Sequence, residues 1–285
     1  MADPLLDRGE LDAALEFSAN AARSYLAQIG TEYVVQPGTE EAVERWNDPM
    51  PEHGDGALAA LAELASRARE AATRSSGPRF FHFVMGGGTP AALGADWLTS
   101  AYDQVAYAWA SSPLAARLEQ VATGWLRQLF ELPEEFGVVL TTGATMANFV
   151  ALAAARSWWG DRLGVDVDRD GLSRVPAPVI ISSGYLHPSA TQALGMLGLG
   201  QGNVSRLTRD DAGRIDLDAV ERGLADHSHP AILIANAGEV NTGGLRPDRG
   251  PRGPGRAPPC LAARGRRVWA VRTAQPDDPR ARGRH

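Results

Sequence analysis

The chain has 285 residues, 44% of them apolar, which is enough for one large domain or for one domain and part of a second. Its single cysteine, Cys260, excludes a disulfide framework, and no apolar run approaches the roughly 20 residues of a membrane-spanning helix. The net charge of −6 conceals a split: residues 1–243 hold 17 Arg against 31 Asp plus Glu, whereas residues 244–285 hold 11 Arg against three Asp.

All 28 basic residues are Arg, so the chain has no lysine. The start, Met1-Ala2-Asp3-Pro4, is acidic, unlike the positive start of a secretory signal. These features predict a soluble, cytoplasmic protein with no membrane partner, and the acidic body argues against nucleic acid. Past Gly243 the chain has seven Pro, no Glu and no Ile, and periodic apolar spacing stops.

In chain order, Leu11, Leu15, Ala22 and Leu26 fall on one helical face, with Gly30 placed to end the helix. Residues 35–55 are polar and rich in Pro and Gly and read as a connection. A helix is expected over Ala57–Ala72. Phe80, Phe81, Phe83 and Val84 predict a short aromatic strand closed by Gly86-Gly87-Gly88. One helix follows Pro90. Another follows Ser111-Ser112-Pro113, with Leu114, Leu118, Val121 and Trp125 at 4-3-4 spacing, Ser112 as N-cap and Pro113 at the first helical position.

From Phe136 the pattern becomes strand–helix alternation. Strands are predicted at Val138–Leu140, Val179–Ile181, Val204–Leu207 and Ala231–Ala235. Helices are predicted at Ala144–Trp158, Pro188–Leu197 and Leu217–Ala225, the last opened by Asp216. Such alternation implies a parallel sheet wrapped by crossover helices. The fold class is therefore α/β with a helical N-terminal segment, without internal repeats.

Ligands of such sheets bind beyond the carboxyl ends of the strands. Thr141-Thr142-Gly143-Ala144-Thr145 lies there, before a helix N-terminus whose free amides and dipole suit a phosphate. An ordinary threonine-capped turn would look the same. His187, after Ser182-Ser183-Gly184-Tyr185-Leu186, sits at the same edge, and could face a ligand or merely cap the next helix. A third strand end, Ala235–Thr242, is also polar and contains Gly238, so three such ends converge on one rim.

The runs TTGATMANFVALAAAR (141–156), YLHPSATQALGMLGLG (185–200) and ILIANAGEVNTG (232–243) resemble the group II pyridoxal phosphate-dependent amino acid decarboxylases, the aromatic amino acid and glutamate decarboxylase group. GPRFFHFVMGGGTPAALGADWL (77–98) and SSPLAARLE (111–119) fit the same family, so the resemblance covers about residues 77–243. It implies a fold-type I large domain, the fold of the PLP-dependent transferases, with a parallel-rich sheet left incomplete. It implies pyridoxal 5′-phosphate as cofactor and an α-amino acid as substrate. Gly143, Ala144 and Thr145 would hold the cofactor phosphate, and His187 would stack on the pyridine ring and orient the substrate. It further implies a homodimer with interlocking N-terminal helices.

Two features of that family are absent: the aspartate of an HVDxA-type strand, which keeps the pyridine nitrogen protonated, and the lysine that holds the cofactor aldehyde covalently. The genetic code offers an explanation. Reading the last two bases of each codon from Gly244 with the first base of the next permits DFDPIAALADLAEHRRAWLHVDGAFGL across Gly244–Ala270, which restores the aspartate strand. One surplus base near Gly243 suffices. The expectation is therefore an N-terminal helical segment (1–76), a partial cofactor-binding domain (77–243) and an out-of-frame, disordered tail (244–285), in a chain inactive as written. The rival for the tail is a genuine Arg/Pro-rich arm.

Other function classes fit less well. An aminotransferase or carbon–sulfur lyase on the same scaffold, or a non-catalytic phosphate-binding remnant, stays open. Gly86-Gly87-Gly88 lacks the G-x-G-x-x-G spacing of a dinucleotide site. Ser182 or Ser183 with His187 lacks a nucleophile elbow. His227 and His229 offer two ligands without a third, so no metal site is expected.

Overall fold

Alternation of β-branched runs with helices produces the expected layered core. The computed structural model describes residues 8–83, 85–130, 132–182, 186–207, 216–225, 231–237 and 268–274. Among these, residues up to Ala101 belong to one unit and those from Tyr102 onward to another.

In the first unit, α1 (Leu11–Gln28) and α2 (Thr39–Glu44) pack on α3 (Ala57–Ala71). Glu10 reaches across to α3, its carboxylate accepting from the Leu58 amide at 3.0 Å. The loop after α3 is fixed by Arg74. Its buried guanidinium donates to Glu32 (2.6 Å) and to the carbonyls of Ala72 and Arg69, and lies over the Tyr25 ring. The predicted apolar face of α1 forms as a face, but Leu11, Leu15 and Leu26 on it are exposed. α4 (Pro90–Tyr102) ends at the unit boundary.

Two predicted strands do not form. Phe80–Phe83 is irregular, with Phe83 at φ 58° and the Phe81 and Phe83 rings exposed; Val84 lies outside the described residues. Val138–Leu140 is likewise outside any ladder, with Val139 and Leu140 exposed. A strand needs a neighbour to take its backbone hydrogen bonds, and no described strand lies beside either segment.

The second unit is built on four parallel strands in the order β2-β1-β3-β4. These are β1 (Val179–Ser182), β2 (Val204–Arg206), β3 (Ala231–Ala237) and β4 (Val268–Ala274). Ile180 of β1 pairs with Val204 and Ile232, and β3 pairs with β4 from Ala231–Val268 to Ala237–Ala274. Strand alternation divides the core. Ile180, Ile232 and Ile234 meet Leu152 and Ala155 of α6 (Ala144–Arg162) and Ala193 and Leu194 of α8 (Pro188–Met196). Ile181 and Leu233 meet Val220 of α9 (Leu217–Ala225) on the other face. The sheet is thus sandwiched, with α6 and α8 on one side and α9 on the other.

The tail, read from sequence as carrying no fold, is corrected for seven residues. β4 lies within it, and Val268, Trp269, Val271 and Thr273 are strong strand formers that complete β3's free edge. The rest of 244–285 lies outside the described residues.

Local chemistry explains the helix boundaries. α5 (Pro113–Leu129) begins as predicted, Ser112 Oγ accepting from the Ala115 amide while also donating to Gln104. α9 is capped by Asp216, whose carboxylate accepts from the amides of Asp218 and Ala219, both at 3.0 Å. α6 buries Asn148, Leu152, Ala155 and Trp159, a 4-3-4 spacing that defines one face. Its last turn abuts α7 (Val167–Asp170), where Arg156 and Ser157 both bind Asp168 at 2.8 Å. Gly160 makes that approach possible: an added Cβ would overlap the Val167 side chain and lie 2.8 Å from the Val165 carbonyl oxygen. Gly160→Ala is expected to destabilise the second unit by about 1–3 kcal/mol, read as a lower denaturation midpoint. An unchanged midpoint would mean that α7 can move aside.

Candidate functional site

Parallel pairing puts the carboxyl ends of all four strands at one edge. His187 follows β1 there and stands as the N-cap of α8. α6 packs on the same sheet face as α8, and a hydrogen bond from Asn148 in its second turn to Ser189 sets its N-terminal part beside the start of α8, although no described strand precedes α6. Ser183, Gly184, Tyr185 and residues 238–242 of the third strand end lie outside the described residues.

The α6 N-terminus is open. Gly143 is its N-cap, no side chain caps it, and its first turn carries no acidic residue. Gly143 through Ala147 are exposed, leaving the Ala144, Thr145 and Met146 amides without an intrahelical acceptor. The Gly143 carbonyl accepts the first helical bond, from Ala147 at 3.0 Å, and also receives the Thr141 hydroxyl at 3.1 Å. A Cβ on Gly143 would meet nothing within 4 Å, so there is room above the amides. Free donors, the positive end of a 19-residue helix and the Thr145 hydroxyl together suit a phosphate.

The modest alternative for His187 is also realised, because its Nδ1 caps α8 by accepting from the Ser189 amide at 3.2 Å. Nδ1 lies 2.7 Å from Ser189 Oγ as well. With Nδ1 engaged, the exposed ring keeps its face and its Nε2 for another partner.

Two residues of the site carried no assigned role in the sequence reading. Asn148 and Ser189 are buried, 8% and 6% exposed, and the Asn148 Nδ2 donates to Ser189 Oγ at 2.8 Å. This bond ties α6 to the start of α8 and thereby to His187. The available signal was Asn148 itself, a polar residue standing on the otherwise apolar face Asn148-Leu152-Ala155-Trp159. Ser182, at the end of β1, is fully buried, and its Oγ has no partner among the described residues.

The pyridoxal-dependent decarboxylase conserved domain matches residues 39–243. The chain belongs to the pyridoxal-dependent decarboxylase family. The match ends at Gly243, the residue at which the composition changes, and begins well before the resembling runs at 77–243. The L-2,4-diaminobutyrate decarboxylase of Rhizobium meliloti is 30% identical over 204 residues, covering 70% of this chain and 39% of that protein. The aromatic-L-amino-acid decarboxylase of Bacillus atrophaeus is 26% identical over 202 residues, covering 70% of this chain and 40% of its own. The chain thus spans about two fifths of the length of these relatives.

Solved structures show the fold. Mouse CSAD matches with a TM-score of 0.70 at 24% identity, covering 81% of this chain and 49% of its own. The Oryza sativa TDC crystallised with PLP and tryptamine matches with a TM-score of 0.69 at 22% identity, covering 82% and 50%. The fold-type I expectation, with a parallel sheet and a helical N-terminal segment, is met, and pyridoxal 5′-phosphate is the cofactor of the family. Among the described residues no helix is long and apolar enough to cross a membrane, and no three His, Cys, Asp or Glu gather as metal ligands.

Proposed function

We propose that this chain is the phosphate-binding part of a pyridoxal phosphate-dependent decarboxylase of an α-amino acid. The observation that carries the reading is the uncapped α6 N-terminus fastened to His187 through Asn148 and Ser189 at the carboxyl edge of a parallel sheet. The amides of Ala144, Thr145 and Met146, the Thr145 hydroxyl and the room left by Gly143 hold the phosphate. His187 stacks on the pyridine ring and orients the substrate. When bound, the cofactor supplies an electron sink for the pair left behind as carbon dioxide departs.

The residues needed to complete that chemistry are missing. Without lysine the cofactor is held by noncovalent contacts alone, and the chain as written is inactive. The domain reading is 1–76 helical, 77–243 a partial cofactor-binding domain and 244–285 an out-of-frame tail, of which Val268–Ala274 forms β4. The end of the family match at Gly243 supports the last of these. The complete protein would be a cytoplasmic homodimer acting on an α-amino acid as its small-molecule substrate, without nucleic acid or membrane partners. The absence of lysine also favours a second reading, a non-catalytic binding remnant. An aminotransferase or lyase on the same scaffold would share the phosphate site.

Equilibrium dialysis against pyridoxal phosphate and against pyridoxal tests the site. Charge-assisted hydrogen bonds are worth about 1.5–3 kcal/mol, so the phosphorylated form is expected to bind roughly ten- to a hundredfold more tightly. Equal affinities would remove the phosphate site and the reading with it.

A further inference from the structure

A histidine on a loop is a weak orienting device unless something fixes which ring nitrogen carries the proton. Here Ser189 approaches Nδ1 of His187 with two groups, its amide at 3.2 Å and its hydroxyl at 2.7 Å. The amide can only donate, so Nδ1 is an acceptor. The hydroxyl in turn receives the Asn148 Nδ2–H at 2.8 Å, which directs its own hydrogen toward Nδ1. Two donors that cannot accept fix the directions: the Ser189 backbone amide makes Nδ1 an acceptor, and the Asn148 amide nitrogen makes the serine oxygen one, which leaves the serine hydrogen for Nδ1.

We propose that Asn148 and Ser189 are positioning residues that hold His187 as its Nε2–H tautomer and lock the ring to the helix bearing the phosphate loop. The inference rests on the site reading above for its purpose, but not for its geometry. Both residues are buried, and the bond joins positions 41 apart in sequence, so it survives only while α6 and α8 stay in register. Asn148 lies in the second turn of α6, behind the exposed amides of Ala144 to Met146. A single side chain thereby references the ring and the phosphate loop to one rigid element.

The test is nitrogen NMR of the full chain labelled at histidine, with His187→Ala to assign the signal among the six histidines. The native protein is expected to show a pyridine-like Nδ1 and a pyrrole-like Nε2. In Asn148→Asp the carboxylate takes the serine hydrogen instead, so the population is expected to move toward the Nδ1–H tautomer. Ser189→Ala is expected to weaken the preference, and Ser189→Thr, which keeps the hydroxyl, to restore it. Dialysis supplies the second readout. Pyridoxal phosphate and pyridoxal are both expected to bind about three- to tenfold less tightly to Asn148→Asp, leaving their ratio unchanged because the loop amides are untouched.

A tautomer unmoved in Asn148→Asp and Ser189→Ala would overturn the proposal. So would a collapse of the phosphate preference in these variants, since that would show that they merely support α6. If the native chain shows no phosphate preference while the tautomer responds as expected, the cofactor-site reading fails and the positioning relay stands.

Discussion

Gly143→Asp is expected to make the protein more stable and a poorer cofactor binder at the same time. Gly143 sits at φ 165° and ψ 173°, extended backbone that any residue adopts, and its added Cβ meets no atom within 4 Å. Aspartate there caps amides of the first turn of α6 and complements the helix dipole. Together with a stiffer unfolded chain, this adds about 0.5–1 kcal/mol. The same carboxylate occupies the donors that the phosphate needs and repels its charge. Affinity for pyridoxal phosphate is expected to fall at least about tenfold, with affinity for pyridoxal unchanged. The denaturation midpoint and the two dialysis curves read the two effects separately. Higher stability with unmoved cofactor affinity would place the phosphate elsewhere; lower stability would show that Gly143 is needed for its backbone.

The second large effect follows from the missing lysine. No side chain among the 285 residues carries a primary amine. Borohydride treatment in the presence of pyridoxal phosphate is therefore expected to label no side chain, and carbon dioxide release from any α-amino acid should stay at background. Sequencing the gene from the Asn241 codon onward completes the experiment. One surplus base near Gly243 is expected, and the corrected product should become labelled at a lysine and release carbon dioxide. Label within the interior of the present chain, or turnover by it, would refute the inactive reading. A confirmed frame without that continuation would leave a lysine-free binding protein.

What could be read from the sequence depended on whether the signal was local. The start of α5 is written in Ser112-Pro113, and that of α9 in Asp216, because a cap bonds within three residues of itself. β1 and β3 were legible as unbroken β-branched and aliphatic runs bounded by helices. The aromatic run Phe80–Phe83 and the aliphatic run Val138–Leu140 also read as strands and form none, because apolar character reports a wish for burial and a ladder requires a partner. α2 was hidden in a polar, Pro- and Gly-rich stretch, opened by Gly38 at φ 82° and only six residues long. Within the candidate site, 143–145 and His187 stood out in the sequence by their positions after predicted strands and before helices, although Val138–Leu140 forms no strand. The role of Asn148 was not, since its partner Ser189 comes 41 residues later and only the packing of α6 on α8 brings them together.

The helix α5 has a wider consequence. Its regularly spaced Leu114, Leu118, Val121, Trp125 and Leu129 all remain exposed, Trp125 at 67% and Leu129 at 73%. A continuous apolar ridge on a well-formed helix is costly to leave in water and is ordinarily covered by another surface. Whatever covers that ridge must do so along the whole length of α5, because its apolar positions recur from the first turn to the last.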